Sequence, residues 1–461
     1  MPLSPITVGG GGRRKFALAP VAMHMIMMYT SYLLKCKYVV FCKPFELHVD
    51  VYAVYWDPRF VDDDKSLRST SVHLRILALG VYLDDDADNK VQCVFAADTG
   101  DPAVVPVSHR KLSGRPFGGH MLSCEVPRRF THGVDRVTPP CNVKITNSVG
   151  GSSLFKIINT FPPSRVQREF TVCTPPLFGE NITDLQIVEF MELVRLLGAD
   201  HVMFYDSGLS LVAYTVLKYY VSIGRATLLT WNKRMKSVYE YHIDLAVTDC
   251  LYRNMALSKY VVYLSIHEFL VPYKHTSWHG MMKELDTEKT FAFRVSGVYF
   301  DPRTQNGAEI NVTTSLEHTW RTNTSTVFDT RTIVKPQMAF DVTVLDIEPF
   351  SKSYLSKELS YPDALVHFHK HCPPNSSASC MDLVPDGVIY YRYYDDLELA
   401  IDKSLERIGS TAYLKQNKAL LEDFCKAHYG CVVGTDGQCD FEKCDNADYR
   451  DDEISRTVMI T

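Results

Sequence analysis

No Cys-x-x-Cys pair occurs in this chain of 461 residues, and Cys425, Cys431, Cys439 and Cys444 follow no finger or ribbon spacing. Structural zinc sites need thiolates at such fixed intervals, so a zinc module is excluded. There is no G-x-x-x-x-G-K-[ST] loop and no G-x-S-x-G elbow, which removes P-loop and α/β-hydrolase chemistry. His267-Glu268 opens like a zinc-protease motif, but Val271 stands where the second histidine belongs. The acidic run 84–88 lacks the glycine that a calcium loop needs at its sixth position, and Phe95 replaces the bidentate Glu. Neither sign of charge dominates: a formal charge of −5 gives no footing for nucleic acid as a partner. Low-complexity sequence is confined to the glycines at 9–12, and no internal repeat is present.

What is there is an ordinary globular composition, 46% hydrophobic and 22% charged, long enough for two or three domains. Thirteen cysteines without metal spacing point to disulfides and an oxidising compartment. The sequons at Asn181, Asn311, Asn323 and Asn375 agree with a secretory route as glycosylation sites. Residues 16–34 carry no full charge and follow Arg13, Arg14 and Lys15, the pattern of a signal-anchor helix. Lys35, Lys37 and Lys43 balance the charge on the far side, so orientation rests on the sequons. The expectation is a single-pass protein of a Golgi or other secretory-pathway membrane, with its main part luminal.

Periodicity divides the rest. After a tail over 1–45, residues 46–165 hold short β-like runs separated by Gly, Pro and Asp, which predicts a smaller all-β module. From 166 to 410 strands and helices alternate. Thr183 and Gln186 form a capping box ahead of Ile187, Phe190, Met191, Val194 and Leu197 at helical spacing, and Gly198 ends the run. A strand at 201–205, a helix stopped by Gly224, a strand at 226–231, a helix at 244–257 and a strand at 260–264 follow. That alternation predicts an α/β class, a doubly wound, mainly parallel sheet. Residues 411–461 read as an acidic, cysteine-containing tail.

The most informative stretch is 246–272, AVTDCLYRNMALSKYVVYLSIHEFLVP. A short apolar strand opens onto Ser265, Ile266, His267 and Glu268, and the carboxyl ends of strands are where open α/β sheets bind ligands. The run DCLYRNM..SKYVVYL..HEFLVP resembles the signature of glycosyltransferase family 92, eukaryotic enzymes that transfer hexose, typically galactose, onto glycans. FTVCTPPLFGENITDLQIVEFMELVRLLGADHVMFYDSG, VLKYYVSIGRATLLTW and ALVHFHK extend the resemblance over roughly 165–400, with weaker echoes at VYAVYWDPR (51–59) and SCEVP (123–127).

The resemblance implies a GT-A fold, a UDP-hexose donor (UDP-galactose), a glycan acceptor and inversion, with a divalent metal, Mn²⁺, offsetting the leaving diphosphate. Where the family has Asp-x-Asp-Glu, this chain has Ser265, Ile266, His267 and Glu268. Within the implied site, Glu268 is the expected catalytic residue; Asp206, Asp249, Arg253 and Ser265 are expected at the donor, and His267 and His367 at the metal. His367 heads a run in which Phe368 and His369 replace the family's Tyr and Arg, and Thr248 and Asp244 replace an Asn and a Gln. Lys or Arg can also take the place of the metal's charge, with Arg253 and Lys274 nearest in sequence. Asp206 can equally be a helix N-cap, the histidines can be surface residues, and Cys250 is expected in helix packing. An inactive glycan- or nucleotide-binding pseudo-glycosyltransferase on the same scaffold is the alternative.

Overall fold

The computed structural model describes most of residues 49–444. Outside it lie 1–48 and 445–461, together with 60–71, 82–90, 97–100, 113–116, 128–129, 131–139, 148–150, 160–164, 180–181, 232–242, 305–313, 324, 343–346, 374–379, 410–416, 430 and 434–438.

Local signals shape the elements from 168 onward. Thr183 and Gln186 exchange both bonds of a capping box, and helix Asp184–Leu197 runs from there to Gly198. The φ of 129° at Gly198 suits a residue without Cβ. Strand His201–Leu209 alternates its side chains between two cores, as a period of two requires. Val202 and Phe204 join helices Asp184–Leu197 and Leu211–Ser222 on one face, and Met203 and Tyr205 point to the other.

The described chain builds two separate large sheets. Eight strands between Val49 and Ile158 form the first, antiparallel except where Val49–Asp57 meets Ser152–Ile158. Trp56, Leu74, Ile76, Val143, Ile145 and the Cys93–Cys124 disulfide fill its own core. The second sheet has ten strands. Leu177–Gly179, His201–Leu209, Ala226–Thr230, Arg168–Cys173 and Ser258–Tyr263 are mutually parallel. Beyond them come Thr326–Val334, Thr290–Tyr299, Ala364–Phe368 and Glu268–Pro272, with antiparallel pairings at three of the four junctions.

The expected fold is corrected here. One doubly wound, mainly parallel sheet of GT-A type with a small β appendage does not describe two sheets of eight and ten strands, the larger mixed. The physical reason lies after Tyr263. Parallel neighbours need long crossovers, usually helical, and that alternation stops at this point. Ser258–Tyr263 and Glu268–Pro272 stand four strand spacings apart in the order, joined by the short turn at 264–267. Five peptide links reach at most about 18 Å, whereas four flat spacings need about 19 Å. The sheet therefore curls between these two strands.

Helix Ile243–Asn254 lies between the two sheets. Residues 245–252 and Asn254 are all buried, and the helix packs on Val49–Asp57, His73–Val81 and Phe117–Glu125 as well as on Ser258–Tyr263 and Arg168–Cys173. Cys250, expected in simple helix packing, is bonded to Cys173, tying this helix to the parallel sheet.

The membrane expectation is also corrected. Among the described residues no helix is long and apolar enough to cross a membrane, and 16–34, where the anchor was placed, lies outside them. The membrane partner, the single-pass topology and the Golgi assignment, drawn from that segment together with the cysteines and sequons, find no membrane-crossing helix among the described residues. Near the other end, helix Val388–Ile408 carries three exposed tyrosines in its first turns.

Candidate functional site

The turn at 265–268 stands at the carboxyl ends of the parallel strands. It closes through the Glu268 amide donating to the Ser265 carbonyl at 3.0 Å. Ser265 and His267 are partly exposed, Ile266 and Glu268 buried. The Glu268 carboxylate accepts from the Ser265 amide at 3.0 Å, from the Lys370 ammonium at 3.0 Å, and from the Arg331 guanidinium through both oxygens. Burial by itself would raise its pKa, but the charges and hydrogen bonds of Arg331 and Lys370 outweigh that and hold it at about 2. Glu268 is therefore an ionised anchor with its lone pairs engaged. That is poor chemistry for a general base and good chemistry for fixing two cations.

Phe368 organises this cluster. Arg331 lies over its ring at 4.9 Å and Lys370 at 4.7 Å from the centroid. The ring crosses Gly297, where an added Cβ would come within 1.9 Å of it and 2.6 Å of the Asp329 carbonyl. Gly297→Ala is therefore expected to cost about 1–3 kcal/mol in chemical denaturation by overpacking, and to disturb the Arg331–Glu268–Lys370 geometry.

The other expected residues are scattered. Asp206 uses Oδ1 to accept from the amides of Gly208 and Leu209, at 3.0 and 3.1 Å, closing the end of its own strand; Ser210 caps the following helix. Asp249 is fully buried in the seam between the sheets, accepting from Tyr205 at 2.8 Å, from Arg253 at 2.6 Å, and from Tyr55 of the first sheet. Arg253 is engaged by that carboxylate, and Lys274 pairs with Asp363 at 2.6 Å. Neither cation is among the partners of the turn. The cations that are there, Arg331 and Lys370, went unnoticed in the sequence. Lys370 had a signal: strand alternation sets it opposite His367 and His369, on the face of Phe368, whose register partner is Glu268. Arg331 had none.

The two expected metal ligands are not brought together. His367 is buried, with Nε2 3.0 Å from the Tyr273 hydroxyl, and desolvation lowers its pKa to about 4. His267, also lowered by burial, neighbours His369 instead, and its carbonyl accepts from the His369 amide at 2.9 Å. His369 stacks between Phe300 and His318. Among the described residues no group of three or more His, Cys, Asp or Glu side chains is placed to hold a metal ion. The donor set thus does not fit a divalent metal at the turn. Of the sequons, Asn323 is exposed and bonded to Asp382 at 3.2 Å; Asn181, Asn311 and Asn375 lie outside the described residues.

Comparison with known proteins bears on this geometry. The beta-1,4-galactosyltransferase galt-1 of Caenorhabditis elegans is 32% identical over 145 residues, 30% of this chain and 31% of that one, so the match spans about a third of the relative's length. Among solved structures, S. aureus TarS 1-349 aligns at 9% identity and a TM-score of 0.27, covering 56% of this chain and 71% of that one. Glucosyl-3-phosphoglycerate synthase of Mycobacterium tuberculosis, in complex with Mn²⁺, UDP and glucosyl-3-phosphoglycerate, aligns at 12% and 0.24, covering 54% and 80%. Scores this low carry no argument about fold or ligands. The model of glycosyltransferase family 92 matches residues 168–408, more than half of the chain, with the 265–268 turn, Arg331 and Lys370 inside the match: this protein belongs to that family.

Proposed function

We propose that this protein transfers a hexose, galactose from UDP-galactose, to a glycan acceptor with inversion, and that the 265–268 turn receives the donor's diphosphate. The observation that carries this reading is the pair of cations, Arg331 and Lys370, fixed on Glu268 beside the partly exposed Ser265 and His267. A leaving diphosphate needs positive charge that is already in place, and preorganised guanidinium and ammonium groups supply it without reorganisation. Glu268 acts by positioning them. Ser265 offers a hydroxyl to the nucleotide or a phosphate oxygen. Mn²⁺, the cofactor implied by the family, has no ligand set among the described residues, and no step here is routed through it. The name of the curated relative supports galactose as the transferred sugar.

A second reading has its own support. Ser265 and His267 stand where the family carries two acids, and a fold keeping its cations without those acids suits a nucleotide- or glycan-binding pseudoenzyme. UDP release from a panel of UDP-sugars, and calorimetric titration of UDP with Mn²⁺ or with EDTA, separate the readings. The transferase reading expects UDP release and UDP binding in EDTA. It also expects Lys370→Met, at a side chain 41% exposed, to weaken UDP about tenfold in EDTA. UDP binding without turnover of any sugar selects a nucleotide-binding pseudoenzyme; no UDP binding under either condition removes the transferase reading and leaves only the glycan-binding form of the second.

A further inference from the structure

Transfer with inversion needs a base for the acceptor hydroxyl, and Glu268 cannot serve. It is 1% exposed, and Arg331, Lys370 and the Ser265 amide all hold its carboxylate. A second carboxylate acts on the same guanidinium: the charge of Asp329 reaches Arg331 as that of Glu268 does. Asp329 is partly exposed, where Glu268 is not. Strand geometry brings it to the donor turn. Thr326–Val334 runs antiparallel to Ser258–Tyr263, with Val262 opposite Ile333. Following the strand back from Ile333 to Asp329 therefore leads past the carboxyl end of Ser258–Tyr263, to the level of the 265–268 turn.

On its other side this strand breaks register. Ser296 faces Thr330, and the next residue, Gly297, faces Thr326, so 327–329 stand opposite no residue. A bulge of this kind takes side chains out of the regular alternation, and bulges gather beside active sites because they re-aim a side chain. The bulge is pinned. A Cβ at Gly297 would come within 2.6 Å of the Asp329 carbonyl, so glycine is what lets the two backbones approach this closely. The side chain is pinned too. Tyr299, itself 1% exposed, donates its hydroxyl to the Asp329 carboxylate. Burial first, and then this bond to an anionic group, raise the phenol above its ordinary range, so it keeps its proton and stays the donor. The bond sets the direction of the carboxylate without neutralising it. One acid beside the turn is thus buried and committed to the cations, and the other is oriented and reachable.

We propose that Asp329, held by Tyr299 in the bulge beside the donor turn, is the general base of the transfer; the assignment rests on the transferase reading. As the acceptor oxygen forms its bond to the anomeric carbon, its proton passes to the Asp329 carboxylate. The bond from that carbon to the diphosphate breaks on the opposite face, and its electron pair leaves with UDP, beside Arg331 and Lys370. The test is turnover of UDP-galactose and the other UDP-sugars of the panel by the full chain. Methyl β-glycosides of galactose, glucose, fucose and N-acetylglucosamine serve as acceptors, and water serves where they are left out. Asp329→Asn, which keeps the size of the side chain, is expected to lower kcat about 10²–10⁴-fold in transfer and hydrolysis alike. UDP affinity in calorimetry and the melting temperature are expected to stay unchanged. Retention of kcat to within about threefold overturns the assignment and leaves the transferase reading intact. A fall in kcat matched by a loss of UDP affinity makes Asp329 a donor ligand, and one matched by a lower melting temperature makes it structural; either also overturns it. Should the native chain release no UDP from any of the sugars, the transferase reading itself fails and the base falls with it.

Discussion

Arg331→Met is expected to cost about 3–5 kcal/mol of stability and to abolish UDP binding in EDTA. Glu268 is 1% exposed, and Arg331 engages both of its oxygens. Removing one member of a buried pair leaves the other charged and unmatched, which costs far more than the pair contributed. Lys370, itself 41% exposed, cannot replace a guanidinium gripping two oxygens. The pH dependence supplies a signature that a packing defect would lack. In the native protein the Glu268 carboxyl titrates at about 2, below its ordinary 4.5. Its contribution is therefore present in full above pH 4.5 and is lost as pH falls towards 2. A gap of that size corresponds to about 3 kcal/mol. In the variant the burial penalty goes unopposed by Arg331, so the carboxyl takes up its proton at higher pH. The stability gap between native protein and variant, read by urea denaturation at a series of pH values, is expected to narrow below pH 4. A gap independent of pH, or retained UDP affinity, would show that the cluster is not the electrostatic unit argued here.

Much of the second sheet's parallel half was legible because its signals are local. A capping box at Thr183 and Gln186, a Gly stop at 198 and apolar runs of strand length mark elements whatever surrounds them. The position of 265–268 at a strand end was legible for the same reason. The partners of Glu268 were not. Arg331 reaches it from a strand that is third from Glu268–Pro272 in the sheet order, a contact set by curl and register that local periodicity does not encode. Strand spacing would set the histidines at 367, 369 and 371 on one face, with His367 the one expected at the metal. His367 and His369 are indeed both buried, but Tyr273 engages one and aromatic rings enclose the other, while His371 lies past the strand end beside Asp301. The doubly wound expectation was an extrapolation. Strand–helix alternation is real up to Tyr263, and the strands after it pair antiparallel at three junctions. Asp249 was misleading in a different way. A carboxylate in a family motif invites a ligand, yet this helix lies between the two sheets with its polar Thr248, Asp249 and Asn254 buried along with its apolar residues.

That enclosure makes Asp249→Ala the second large effect, again about 3–5 kcal/mol. Three donors converge on this carboxylate: Tyr55 from the first sheet, Tyr205 from the second and Arg253 from its own helix. Tyr55 and Tyr205 are fully buried, so truncation strands two hydroxyls and leaves Arg253, 24% exposed, without its charge partner. Water cannot compensate in a seam packed by Leu77, Met121, Leu245 and Leu251. Asp249→Asn should cost less, since an amide oxygen still accepts from one tyrosine but cannot answer a guanidinium. Because the carboxylate joins the sheets through the helix between them, the loss should fall on their cooperation: a single unfolding transition in the native protein is expected to separate in the variant, with the eight-stranded sheet melting first. The alternative, that Asp249 contacts the nucleotide, predicts the reverse pattern. Asp249→Asn would then keep its stability within about 0.5 kcal/mol and lose UDP affinity, whereas a structural carboxylate loses stability first and binds UDP normally in whatever fraction stays folded.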